Sequence, residues 1–386
     1  MSISPRERFK AIARFQRLGD LSYSDMFWPE TLLSWIRKGA PQQLIDMAFL
    51  GRFFGYDYVR PLRKITSGLA VALYMAGDIP AFQLFPPIVP RFEQKVLKQD
   101  AKTITMINQG GQTVKVFKDN PQKMPMYLDH PVKDRETWKE YKKRLDPNTP
   151  ERWPADWERY VEQVNSGDLP VVLEVGSLFG FLREWMGLER LLYTFYDDPV
   201  LIEDMMDTMV YLALEVIKRA TKDIKVDQAS FWEDMCYKSG PLISPAMFRK
   251  YMMPRYRQIT DLLHKNGIDI IFVDSDGNVN ELIPLWLECG INYIWPLEVA
   301  AGNDAVALRK EYVADLILGG NIDKRALIKG KKAIREEVMS KVPFLLEMGG
   351  YFPTVDHLVP PDVTFENYCY YINTLREAAG LEKLSF

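Results

Sequence analysis

Short apolar runs recur along this chain at intervals long enough to hold a helix, and that recurrence limits the fold more than any other feature. Strand candidates lie near residues 21, 79, 170, 224, 268, 291, 315 and 343. The clearest are PVVLEVG (170–176), IDIIFVDSDG (268–277), INYIWPLE (291–298), DLILGGNID (315–323) and PFLLEMGGYFP (343–353). Runs that are apolar throughout read as strands buried on both faces, and their alternation with amphipathic helices is the signature of a parallel sheet. Eight such units closing on themselves predict a single (β/α)8 TIM barrel, an α/β domain over 1–386. A doubly wound open sheet is the alternative, and no glycine fingerprint for a dinucleotide or phosphate loop follows the first strand.

Local signals support the helices. Ser4-Pro5 opens one, with the serine capping and the proline at the first helical position. A long amphipathic helix is predicted from about Pro199 to Ala220, and another from Ser244-Pro245 to Gly267. The stretch 90–168 breaks the pattern: Lys102 to Lys118 reads as a hairpin around Gly110-Gly111, and the residues after it are rich in Pro, Trp and charge. It is expected to be an elaboration inserted between the second and third strands, with substrate-covering loops as its functional alternative.

Composition excludes several functions. Lys and Arg number 49 against 52 Asp and Glu, for a net charge of -3, without the basic tract a nucleic-acid binder concentrates. Cys236, Cys289 and Cys369 are far apart and form no CxxC pair, so neither a disulfide framework nor a thiolate metal site is indicated. No apolar run approaches the length of a membrane helix, and the charged start lacks a signal core, so a cytoplasmic protein is expected.

In a barrel the catalytic groups stand at the C-terminal ends of strands. Those ends carry Asp25, Trp28 and Glu30; Gln83; Glu174 and Ser177; Trp232, Glu233 and Asp234; Asp274 and Asp276; Trp295 and Glu298; Asn321 and Asp323; and Asp356 and His357. They describe an acidic mouth lined by aromatic rings. Asp274 and Asp276, two apart, face the same way on a strand, and two carboxylates held together make a shared-proton acid or a cation site. Asp-Ser-Asp-Gly-Asn is equally good turn chemistry. His357, stiffened by the following prolines, is a candidate acid, base or metal ligand, or a structural hydrogen-bonding ring. Glu233 beside Trp232 is a candidate raised-pKa acid or an inert loop acid. Trp28, Trp232 and Trp295, with Glu30, Tyr237 and Glu298, are the candidate substrate contacts.

The strand ends carry a resemblance. VGSLFGFLREWMG (175–187), DSDG (274–277), GGNID (319–323) and HLVPPDVTFENY (357–368) are similar to segments of the uroporphyrinogen decarboxylase superfamily, whose barrels include the haem-pathway decarboxylase and cobalamin-dependent methyltransferases. The decarboxylase's arginine-rich N-terminal segment has no counterpart here, where SYSDMFWPETLLSW stands. Asp274 and Asp276 occupy the place of the thiol methyltransferases' His-x-Cys. The resemblance therefore implies a methyltransferase of the O-demethylase type, moving a methyl group from a small donor such as a methoxylated aromatic to the cob(I)alamin of a separate corrinoid protein. It implies His357, Asp274, Asp276 and Glu233 as the catalytic set, and the same four as ligands if a divalent metal such as zinc is held. A decarboxylase of a small aromatic or tetrapyrrole-like acid, in which Arg183 or Arg255 enters the pocket, and a methylamine- or methanol-type methyltransferase are the alternatives. A homodimer is the expected assembly.

Overall fold

The computed structural model describes residues 3–16, 21–57, 87–118 and 124–386. Its centre is a parallel sheet in the order β12-β11-β10-β9-β6-β5. These strands are β5 (Val172–Gly176), β6 (Gln228–Trp232), β9 (Ile271–Asp274), β10 (Tyr293–Trp295), β11 (Ile317–Gly319) and β12 (Tyr351–Phe352). Beyond β12, isolated parallel bridges join Ile322 to Val355 and Phe27 to Val359, so the segment near Phe27 follows in the same parallel sense. The order and the flanking helices are those of a barrel-type α/β architecture. The second expected strand, at 78–87, falls almost wholly outside the described residues.

Alternation along each strand separates two cores. Ile271, Val273, Ile294, Leu318 and Tyr351 pack outward against the helices, in the cluster that holds Met209, Val216, Ile259 and Leu345. Phe272, Tyr293, Trp295, Ile317 and Phe352 face the other way and meet Phe9 and Ile12 of the N-terminal helix. That helix, Pro5–Ala13, starts on the Ser4–Glu7 capping box. The long helix runs Pro199–Asp223, and the one capped by Ser244 reaches Lys265 through a π-helical turn at Phe248–Met252.

The predicted hairpin is present as β2 (Thr103–Ile107) and β3 (Thr113–Phe117), flanked by β1 (Lys95–Gln99) and β4 (Met126–Asp129) in an antiparallel sheet. A second hairpin, β7 (Cys236–Tyr237) with β8 (Gly240–Pro241), follows β6.

Two expectations shift. Pro343 and the apolar run behind it belong to the helix Lys331–Met348, because Val338, Val342 and Leu345 recur at helical spacing on its buried face. The strand there is only Tyr351–Phe352, entered through Gly349 and Gly350 at positive φ. The strand expected from Ile224 begins at Gln228, because Ile224 closes the preceding helix with its N–H on the Ala220 carbonyl. Residues 21–27 are extended, and among the described residues Phe27 bridges Val359 in the parallel sense. No helix among the described residues is long and apolar enough to cross a membrane.

Candidate functional site

The register of the sheet brings the strand ends together. Asp274, at the end of β9, lies level with Trp232 on β6 and Trp295 on β10. The chain then turns through Ser275, Asp276 and Gly277. Gly277 has φ +86°, and a Cβ there would lie 2.7 Å from the Cys236 carbonyl, so only glycine lets this loop pass against the β7–β8 hairpin.

Three carboxylates converge here: oxygens of Asp234, Asp274 and Asp276 all lie within 4.8 Å of one another. Asp234 takes φ +42°, a conformation rare for a residue with a side chain, and its Oδ1 accepts the Asp276 N–H at 3.4 Å. The Asp276 side chain is 39 % exposed, yet its Oδ1 is sealed from solvent and has no hydrogen-bond partner among the described residues. Burial, with the negative charges of Asp234 and Glu298 beside it, pushes the Asp276 carboxyl up to about 8.

His357 faces this acid, with Nε2 3.6 Å from Asp276 Oδ1, beyond hydrogen-bond distance. Its ring stacks on Trp295 at 5.8 Å, and its backbone has φ +144°. Burial and the nearby Lys324 charge hold its pKa below the ordinary histidine value. The two shifts point the same way, one favouring a protonated Asp276 and the other an uncharged imidazole.

Among the described residues, Arg183 and Lys324 bring positive charge to the mouth. Arg183 donates from Nη1 to the Asp234 carbonyl at 2.6 Å and from Nη2 to its carboxylate at 3.3 Å, with the guanidinium over the Trp232 ring at 5.6 Å. Lys324 Nζ lies 3.4 Å from Glu298 and 3.7 Å from the buried Asp356. Glu298 in turn accepts the Gly277 N–H at 3.0 Å, so it braces the DSDG turn as well as contributing charge. Arg255 is turned away, paired with Asp207 at 2.7 Å and donating to the Tyr251 carbonyl.

Not every candidate joins the cluster. Glu233 is fully buried and faces the start of the helix Gly180–Met186, where it accepts from the Leu178, Phe179 and Gly180 N–H groups, the Ser177 hydroxyl and the Tyr256 hydroxyl. Both its oxygens are engaged there, which makes it an anchor for the loop after β5; burial nevertheless raises its pKa. The third acid of the cluster is instead its neighbour Asp234. Asp25 points behind the site, accepting from the Val355 N–H and the Tyr368 hydroxyl, both at 2.7 Å. Asn321 and Asp323 bond to nearby turns and helix starts. Trp28 packs on the inner cluster with Trp295, whereas Trp232 packs against Phe181. Glu30 is half-buried, with Oε2 unpartnered, and Tyr237 is 69 % exposed on the β7–β8 hairpin. Gln83 lies outside the described residues.

A parallel α/β scaffold with acids, a histidine and aromatic rings at its strand C-termini is an enzyme architecture. The sequence profile described as Uroporphyrinogen decarboxylase (URO-D) matches residues 105–378, and the chain belongs to that family. Proteins named uroporphyrinogen decarboxylase from Legionella pneumophila strains Lens and Corby are each 22% identical over 246 residues, which is 60% of this chain and 66% of theirs. Among solved structures, a methyltransferase from Methanosarcina mazei superposes with a TM-score of 0.55 at 16% identity, covering 98% of this chain and 99% of that one. That likeness is one of fold.

Proposed function

We propose that this chain, read as one barrel domain with 90–168 as its elaboration, protonates an aromatic substrate at the strand C-termini and thereby releases carbon dioxide from a small aromatic acid. The observation that carries this reading is the Asp276–His357 pair: a sealed carboxyl oxygen with no hydrogen-bond partner among the described residues, 3.6 Å from an imidazole nitrogen. Asp276 gives its proton to the ring carbon that bears the carboxylate. The bond to the carboxylate then breaks, its electron pair returns to the ring, carbon dioxide leaves, and Asp276 is reprotonated from solvent, one proton being taken up for each carboxylate lost. Arg183 is the cation that orients the carboxylate, and membership in a decarboxylase family supports the same reading. Uroporphyrinogen itself is a poor candidate, because a substrate with many carboxylates would meet Asp234, Asp274 and Glu298 with Arg183 and Lys324 as the cations beside them among the described residues.

The second reading is methyl transfer from an aryl ether to the cob(I)alamin of a separate corrinoid protein. The crowded acids favour it, because a neutral ether meets no repulsion and needs a protonated leaving oxygen. Here Asp234, Asp274 and Asp276 would hold any metal, and three carboxylates suit a hard divalent cation better than zinc. A cation there would supply Lewis-acid assistance at the ether oxygen.

One anaerobic experiment separates the readings. Purified protein is given hydroxylated benzoic acids, and separately methoxylated arenes with a reduced corrinoid protein. The expected result is carbon dioxide from an acid, reduced about 10²- to 10⁴-fold in Asp276→Asn or His357→Ala. Arg183→Ala should raise KM for the acid. A methylcob(III)alamin spectrum without carbon dioxide release would put methyl transfer in its place.

A further inference from the structure

The loops after β9, β10, β11 and β12 meet at the mouth, and one fully buried residue, Asp356, joins three of them. Its Oδ1 accepts the Lys324 N–H at 3.0 Å, at the start of the helix Lys324–Lys329 that follows β11. Its Oδ2 accepts the Val299 N–H at 2.9 Å, just beyond β10. The Asp356 N–H donates to the Ile322 carbonyl at 2.8 Å, and the Asp356 carbonyl accepts from the Lys324 ammonium at 3.3 Å. A carboxylate that did no more than cap a helix start would need the first of these contacts and none of the others.

The next residue is His357, whose φ of +144° is unfavourable for any residue with a side chain and persists only where the surroundings impose it. At the other end, Lys324 Nζ also lies 3.4 Å from Glu298 Oε1, while Glu298 Oε2 accepts the Gly277 N–H at 3.0 Å. Gly277 directly follows Asp276. An unbroken run of contacts therefore leads from the residue after Asp276 to the residue before His357. The two side chains themselves stand 3.6 Å apart without a hydrogen bond, so their spacing has to come from the loops that carry them.

We propose that Asp356, Lys324 and Glu298 are positioning residues, a bracket that holds the His357 ring on Trp295 and within reach of Asp276. The inference rests on Asp276 and His357 being the working pair, and not on which bond breaks. Lys324 is the joint of the bracket, since its ammonium offers three donors at one point and reaches both Glu298 and the Asp356 carbonyl. Without it the two halves stay folded on their own backbone contacts, but nothing in the bracket ties one to the other.

The test reads the position of the ring directly. The chain has three histidines, so full-length protein labelled at histidine gives few ring signals, and the one lost in His357→Gln is assigned to His357. In the wild type that ring should show a nuclear Overhauser contact with the indole of Trp295, on which it stacks at 5.8 Å. Lys324→Met and Asp356→Asn should lose the contact, whereas Arg325→Ala, which removes an exposed neighbour paired with Asp323, should keep it. Lys324→Met leaves both carboxylate bonds of Asp356 in place, so it decides the matter if Asp356→Asn does not fold. On a substrate found as above, Lys324→Met should lower kcat about 10- to 100-fold with KM within about twofold, the mark of misplaced groups rather than lost binding. A Lys324→Met protein that is folded by circular dichroism and keeps the ring contact overturns the inference, as does a raised KM at unchanged kcat, which would make Lys324 a substrate contact. Failure of the reaction assigned above looks different: the ring contact still depends on Lys324 while neither carbon dioxide nor methylated cobalt appears.

Discussion

At the scale of single residues, Asp276 combines a functional position with an energetic burden. Its carboxyl is pushed up to about 8, against an ordinary value of 3.8. A folded-state pKa above the unfolded one means that between about pH 4 and pH 8 the folded chain keeps a proton that the unfolded chain has released. The contribution of this group to stability is therefore fully present below that window and declines as pH rises through it. Asp276→Asn removes the titration and the repulsion from Asp234 and Glu298. The variant should melt higher than the wild type at pH 9, with the difference vanishing near pH 4, while product formation falls as stated above. Thermal melts across pH 4 to 9 check this, and a variant that melts lower at pH 9 would show that the ionised carboxylate is stabilising. The choice of residue here was only partly legible in the sequence. Asp276 and His357 were marked by following apolar runs, but Glu233 and Asp234 are adjacent, share the same local signals, and point in opposite directions. Only the helix start at Gly180, whose N–H groups claim Glu233, decides between them.

At the scale of elements, that same capture makes a prediction. The loop from Ser177 to Gly180 leads into the helix carrying Arg183, and Glu233 satisfies its backbone donors from the end of β6. Gly180 is required for this approach, since a Cβ there would lie 2.9 Å from the Glu233 carbonyl oxygen. Glu233→Ala strands buried donors, each costing about 1–3 kcal/mol, so a loss of about 3–5 kcal/mol is expected in urea unfolding. A loss below about 1 kcal/mol would mean the loop holds its shape without the carboxylate. Elements with strong local chemistry were readable: the Ser4 and Ser244 caps, the alternating hairpin around Gly110-Gly111, and the apolar strands β5, β9, β10 and β11. The last strand was displaced because two residues carry little periodicity, whereas the apolar run before them satisfies strand and helix templates alike. Arg183 was considered only as a requirement of an alternative. Its contact with Asp234 spans 51 positions in sequence and leaves no local trace.

At the scale of the whole molecule, the two ends of the sheet have separate tasks. The helix Pro5–Ala13 fastens the end opposite the acids: Arg6 donates from its backbone to Asp168, from Nη2 to the Lys225 carbonyl, and pairs through Nε with Asp227 at 2.7 Å. Those partners immediately precede β5 and β6. Asp227 is 4% exposed in its side chain and also accepts the Val171 N–H at 2.8 Å, so it joins the helix to both strand starts. Breaking a buried pair by removing one member leaves an uncompensated charge and typically costs about 3–5 kcal/mol. Asp227→Ala should lose stability in that range. Arg6→Ala should lose less, and the double variant should fall short of the sum because the two residues share one interaction. In barrel-type enzymes the strand N-termini serve stability and the C-termini chemistry. At a temperature where Asp227→Ala remains folded, its kcat and KM should therefore stay within about twofold of the wild type. An Asp227→Ala protein that is fully folded by circular dichroism but has lost activity would show that the two ends are coupled, and would move the N-terminal helix from the scaffold into the working part of the molecule.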